Sequence, residues 1–183
     1  MVELDFVDIG VRLLGPLGIF IGVVVSAIMI RRQMRLNYDL AIRNKSVGYS
    51  LYANEHLRDA RIKVDQSFGP LFLRTGAVPM EEINDTTSKD LELYASILTL
   101  LAHWENMALS IETGIADDEV CFEMVGSIVI QHVRVFKGFI DERRDVNSRS
   151  YRYLIALQRR WNDRLMQIPP STLGPPIVPG GQG

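Results

Sequence analysis

The pattern of apolar and polar positions changes character after residue 30. From Leu13 to Ile30 the run LLGPLGIFIGVVVSAIMI holds eighteen residues without a charge, bounded by Arg12 on one side and by Arg31 and Arg32 on the other. Read from Ile9, it supplies the roughly twenty mainly apolar residues, at about 1.5 Å each, that carry a helix across a hydrocarbon core of about 30 Å. A transmembrane helix is therefore expected over residues 9–30. A signal peptide is not expected, because the charge order is reversed: Glu3, Asp5 and Asp8 precede the run while Arg31, Arg32 and Arg35 follow it. Basic residues flanking a span stay on the cytoplasmic side. The topology that follows is a short external N-terminus over 1–8 and a cytoplasmic C-terminal domain. Gly18, Gly22 and Ser26 recur every four residues, which lines one face with small side chains and lets a second membrane helix approach closely.

After the span the apolar positions fall into helical periods. Residues 31–67 read as a juxtamembrane helix, continuous or broken near Gly48. Its best heptad seam places Asn37, Asn44 and Leu51 at one position and Leu40, Val47 and Asn54 at the other. That seam is half asparagine, which suits one face packed on its own domain better than a coiled coil. Gly69, Pro70, Gly76 and Pro79 interrupt the period, so residues 68–86 are expected to form a loop. Helix resumes over 87–168. Thr87 with Asp90 resembles a capping box before a face of Tyr94, Ile97, Leu98, Leu101, Trp104, Ala108 and Ile111, and Gly114 ends that helix as a C-cap.

Asp117 is placed to cap a second helix whose core face is Phe122, Val125, Val129, Val133, Phe136 and Ile140, running to Arg143 and Arg144. The short connection makes the two an antiparallel helical hairpin. A turn centred near Ile115 sets Leu101 opposite Ile130, Thr99 opposite His132, and Trp104 and Glu105 over Gly126 and Ser127. Gly126 would then be small to make room for the indole. A last helix from about Ser148 to Gln167 offers Tyr151, Leu154, Ile155, Gln158 and Trp161 for packing. Residues 169–183 hold five of the eight prolines and four of the fourteen glycines, and read as a flexible tail. The fold class is all-α: one N-terminal transmembrane helix followed by a cytoplasmic helical bundle built on the hairpin.

Composition changes this picture little. A length of 183 residues accommodates one span and one further domain, and a net charge of −2 argues against a nucleic-acid partner. Cys121, the single cysteine, permits no internal disulfide and reads as a small core residue. Charge is unevenly spread: Glu81 to Glu123 carries eleven acidic residues against Lys89, whereas Arg134 to Arg164 carries nine basic and four acidic. Pairing of the last helix with the acidic first half is the simplest consequence. Contact of Arg143, Arg144, Arg149 and Arg152 with anionic lipid headgroups is the alternative.

Candidate chemistry is sparse. His56, His103 and His132 lie on different expected helices without the second ligand at i+3 or i+4 that helical metal sites use, and no phosphate-binding glycine loop or flanked nucleophile occurs. Neither a metal nor a cofactor is expected. Glu105, at the edge of the apolar face beside Trp104, is the one carboxylate placed for more than solvation, through an Arg partner, a helix cap, or catalysis with a histidine.

The sequence Trp104-Glu105-Asn106 with Ala108, then Gly114-Ile115, Asp117, Glu119 and Gly126, then Phe139-Ile140 with Glu142-Arg143-Arg144, Tyr151 and Trp161, resembles a bacterial family of membrane-anchored proteins known only as a domain of unknown function. The resemblance spans about residues 10–165. It implies one N-terminal span in a bacterial inner membrane and a cytoplasmic helical domain, and carries no activity. The leading expectation is a non-enzymatic, membrane-tethered protein that contacts lipid and binds itself or a subunit of a larger membrane assembly. A membrane-linked sensor or effector in stress response or phage exclusion, and an enzyme using Glu105 with His103 or His132, are the alternatives.

Overall fold

The computed structural model describes the backbone of residues 3–51 and 54–167, with side chains from residue 20 onward. Among the described residues every regular element is helical: α1 (Glu3–Val47), α2 (Glu55–Phe68), a 3-10 turn (Leu71–Leu73), α3 (Met80–Lys89), α4 (Leu91–Glu112), α5 (Asp118–Val135), α6 (Lys137–Val146) and α7 (Arg152–Gln167). The expected tail over 169–183 lies outside the described residues. The chain divides into two compact units, residues 1–44 and 45–183.

In the first unit the described side chains of α1 are exposed almost throughout, including Phe20, Ile21, Val23, Val25, Ile28 and Met29. Among the described residues no helix is long and apolar enough to cross a membrane. The expected span begins at Ile9, and its first eleven positions, Gly18 among them, lie outside the residues whose side chains are described. Gly22 and Ser26 are exposed, and a Cβ built on Gly22 meets no atom within 4 Å.

In the second unit α4 is the central element. Ile97, Leu100, Leu101, Trp104 and Met107 are wholly buried, because α2, α3, α5 and α7 all pack against it. An apolar set this broad exceeds the single stripe of a surface helix. Of the two readings of residues 31–67, continuous or broken near Gly48, the structure takes the break. Turn hydrogen bonds link Gly48, Tyr49 and Ser50 back to Lys45, Ser46 and Val47, and Asn54 starts α2 by accepting from the His56 N–H at 2.9 Å. Asn54 is thus a helix cap and not a coiled-coil position, as an asparagine side chain that competes for backbone donors favours.

The loop expected over 68–86 contains α3. Pro79 precedes it, Glu81 and Glu82 occupy its first turn, and Ile83 and Thr87, one turn apart, are its buried contacts. Two apolar contacts in ten residues fall below what periodicity detects. Thr87 is consequently no cap: its hydroxyl donates to the Ile83 carbonyl at 2.7 Å inside α3. Asp90 caps α4 instead, accepting from the Glu92 and Leu93 N–H groups at 3.0 Å each. The far end of α4 closes as expected. Gly114 has φ +71, its N–H donates to Ile111, and the Ile115 N–H donates to Ser110, which satisfies two orphan carbonyls in a Schellman arrangement. Asp117 caps α5 through the Glu119 and Val120 N–H groups.

The long second hairpin helix is interrupted at Phe136, which separates α5 from α6. There the Val135 carbonyl accepts from the Val78 N–H at 2.8 Å, a donor from a segment 57 residues upstream, and Phe136 is buried edge-on against Phe68. α7 starts at Arg152 and not at Ser148, because Asn147 forms a turn through Arg149 and Ser150, and Tyr151 takes φ +53. Its later half meets the acidic start of α5: Arg160 pairs with Asp118 at 3.1 Å, Arg164 with Glu119 and Glu123, and the Trp161 indole donates to Asp118 at 2.8 Å. Arg143, by contrast, lies over the rings of Tyr94 and Phe139.

Gly126 is buried for a reason other than the one expected. A Cβ there would meet Phe122 Cδ2 at 2.9 Å, on the preceding turn of the same helix, and its three nearest neighbours are all atoms of that ring, not of Trp104. The Phe122 ring is in turn held by Trp161, 5.6 Å away between centroids, and covered by Arg164. Gly126→Ala gains about 1 kcal/mol of helix propensity but displaces a confined ring, and overpacking costs about 1–3 kcal/mol. Gly126→Ala is therefore expected to lower the melting midpoint in the native background and to raise it in a Phe122→Ala background. The same sign in both backgrounds would show that Phe122 is not what requires the glycine.

Candidate functional site

The most constrained polar contact in the second unit joins α4 to α5. Trp104, wholly buried, donates from its indole Nε1 to His132 Nδ1 at 2.9 Å, and His132 is itself 2% exposed. The expected register set Thr99 opposite His132 and Trp104 over Gly126. It is corrected here, because that register assumed two helices meeting only each other, whereas α7 packs against both.

An indole N–H can only donate, so Nδ1 of His132 must accept and the neutral ring must carry its proton on Nε2. Burial, and secondarily the charge of Arg61, push the His132 pKa down to about 3. The imidazole is accordingly a neutral donor with one fixed tautomer at ordinary pH. His103 serves a different contact, with Nε2 3.1 Å from the Tyr49 carbonyl and its ring against both Tyr49 and Trp104. Burial lowers its pKa too, partly opposed by that carbonyl.

Glu105 faces away from both histidines. Its carboxylate accepts from the Leu154 N–H at 2.7 Å and the Tyr153 N–H at 3.4 Å, which makes it the cap of α7 supplied from α4. The expected placement over Gly126 and Ser127 is thus corrected, and no Glu105–histidine pair forms. Cys121 is buried, and desolvation raises its thiol pKa to about 11, so it packs as a small apolar residue. Among the described residues no three His, Cys, Asp or Glu side chains converge as metal ligands would.

His132 lines a cleft of about 210 Å³ between α2, the 3-10 turn and α5, together with Arg61, Phe72, Ser127, Ile128 and Gln131. The cleft is built firmly. Gln131 Nε2 donates to the carbonyls of Leu71 and Arg74 at 2.6 Å each, and Asp65 accepts from the Leu71 N–H at 3.0 Å while holding Arg61 Nε at 3.6 Å. These partners were invisible to helical periodicity, since Arg61 and Gln131 read as ordinary surface positions and Phe72 lay in an expected loop. The signal available was narrower: a histidine at position 132 between Val129 and Val133 on a core face needs a polar partner, and so does a buried Trp.

The tautomer makes a pH prediction. In the unfolded chain His132 takes up a proton near pH 6.5, whereas folded it does so near 3. Between those values the unfolded state holds the extra proton, so this contribution to stability is complete above about pH 6.5 and is lost as pH falls toward 3. The loss is about 1.4 kcal/mol per pH unit, or about 2 kcal/mol from pH 7 to pH 5. His132→Asn keeps an acceptor near Nδ1 without a titrating group, and is expected to flatten that slope in denaturant melts. His132→Leu strands the indole N–H and is expected to cost about 1–3 kcal/mol at pH 7. Equal slopes for the native chain and His132→Asn would rule out a neutral buried imidazole.

No curated protein and no solved structure matches the chain. A family model described as a domain of unknown function, DUF4760, matches residues 16–161, a range that contains α2 to α6, the Trp104–His132 contact and the cleft beside it. The chain therefore belongs to the DUF4760 family.

Proposed function

We propose that the chain is a non-enzymatic, membrane-tethered interaction protein, held in a bacterial inner membrane by residues 9–30 with its N-terminus outside. In this reading its second unit lies in the cytoplasm and binds a second copy or a subunit of a larger membrane assembly. The observation that carries the tether is the character of α1 from Phe20 to Ile30, where Phe20, Ile21, Val24, Val25, Ile28 and Ile30 are exposed on every side and the basic group Arg31, Arg32 and Arg35 follows at once. A helix that is apolar all round needs cover from lipid or protein, and its basic flank suits the cytoplasmic headgroups. In the same reading Gly18, Gly22 and Ser26 form the face on which another membrane helix rests.

A cleft of about 310 Å³ among α5, α6 and α7 supports the interaction half of the proposal. Its floor includes Ile130, Val133 and Ile140, and its rim carries Arg134, Lys137, Arg144 and Arg159 against Asp141. Lys137 pairs with Asp141 and Arg134 with Gln131, which leaves Arg144 and Arg159, among the described residues, as cations over an apolar floor. An acidic segment with apolar side chains on its partner has the complementary chemistry.

Two experiments test the two halves. The full chain is expected to remain in the membrane pellet after an alkaline carbonate wash, and Val24→Asp with Ile28→Asp, at about 2.5–3.5 kcal/mol per charge in a bilayer, to move it to the supernatant. Retention of the doubly charged variant would overturn the tether. Arg144→Glu with Arg159→Glu is expected to weaken the self-associated or co-purified complex in mild detergent at least tenfold at an unchanged melting midpoint. An undiminished complex would overturn the role of this cleft.

A further inference from the structure

The polar groups left available in the cleft beside His132 can all donate hydrogen bonds. Nε2 of His132 carries a proton because Nδ1 is occupied by the Trp104 indole, and it has no hydrogen-bond partner among the described residues. Although His132 is 98% buried, none of the enclosed side-chain nitrogens or oxygens among the described residues lacks a partner, so Nε2 reaches the surface, and the opening it lines is this cleft. Across the cleft Arg61 faces Asp65 through Nε, which leaves the terminal guanidinium nitrogens as further donors. Ser127 adds a hydroxyl at the rim.

The acceptors nearby are already engaged. Gln131 Oε1 takes a hydrogen bond from Arg134, the Leu71 and Arg74 carbonyls take theirs from Gln131, and Asp65 holds Arg61 and the Leu71 N–H. What remains is a cation, a neutral N–H and a hydroxyl that can donate as well as accept, and a set in which all three groups can donate recognises an anion. The remaining walls are apolar: Ile128 on α5, and Phe72, which is 67% exposed although it projects from a turn held at Leu71 by Asp65 and at Arg74 by Gln131. An exposed aromatic ring on a fixed turn beside a charge-bearing cleft supplies a surface for a flat apolar body. The volume, about 210 Å³, falls below what drug-sized ligands occupy.

We propose that this cleft binds a small carboxylate with a planar apolar body, its oxygens held by Arg61 and by His132 Nε2–H and its body against Phe72 and Ile128. The indole of Trp104 is then the positioning residue of the site, since its hydrogen bond to Nδ1 fixes the tautomer and leaves the proton on Nε2, turned toward the ligand. The site is independent of the membrane tether, and its failure would leave the tether intact.

The test uses the full chain in detergent micelles, with histidine nitrogens labelled for NMR and benzoate, benzamide and inorganic phosphate as probes. In the free protein Nδ1 of His132 is expected to be unprotonated and Nε2 protonated from pH 5 to pH 8. Benzoate is expected to shift the Nε2–H signal saturably, benzamide and phosphate to bind at least tenfold more weakly, and Arg61→Gln to reduce benzoate affinity at least tenfold with the melting midpoint retained. His132→Asn keeps the acceptor for Trp104 and is also expected to lose benzoate binding. A protonated Nδ1, a non-saturating response, or benzoate affinity unchanged in Arg61→Gln would overturn the site. Phosphate binding as tightly as benzoate would overturn the assignment to a carboxylate with an apolar body.

Discussion

A tryptophan enclosed on all sides must still give its indole N–H to an acceptor, and most of the second unit is arranged around how Trp104 does so. The donor is on α4, the acceptor is His132 on α5, and the contact exists only if the two helices hold one register. An unpaired indole N–H in that interior would cost about 1–3 kcal/mol, a large part of the margin by which domains of this size are stable. Apolar packing alone would tolerate neighbouring registers, because Leu, Ile and Val contacts lack direction. The directional bond is what selects among them.

Its influence reaches beyond the two side chains. By occupying Nδ1 the indole fixes the tautomer, burial keeps the ring neutral, and the remaining N–H is turned toward the cleft that Arg61 and Phe72 complete. Other polar anchors follow the same logic of one element completing another. Glu105 of α4 caps α7, Asp118 of α5 receives the Trp161 indole of α7, and the Val135 carbonyl, freed from α5, is taken by Val78. Each of these bonds ties a helix end or a helix break to a neighbour distant in sequence. The apolar interior supplies most of the stabilisation, and these few bonds determine where each helix starts and stops.

The first unit obeys a different constraint. Residues 20–30 of α1 have apolar side chains on every face and no cover among the described residues of their own unit. Such a helix is out of place in water and in keeping with lipid or with another apolar helix. The tether proposed for the chain therefore rests on the character of one segment, whereas the cleft chemistry rests on the mutual arrangement of several.

The sequence by itself determined the features that depend on neighbouring residues. The helical class follows from the period of the apolar positions. The caps at Asp117 and Gly114 follow from residue type at a helix end, and most of the buried face of α4, including Ile97, Leu101, Trp104 and Ala108, from spacing along one helix. Tertiary structure alone decided the features that depend on residues far apart. It made Asp90 and not Thr87 the cap of α4, because Thr87 was already enclosed in α3. It explained Gly126 by Phe122 held under Trp161, broke α5 at Phe136 where Val78 supplied a competing donor, and gave Glu105 to α7. Periodicity records which face of a helix is apolar, but the partner of a polar group on that face is chosen by whichever element packs there. No local pattern contains that information.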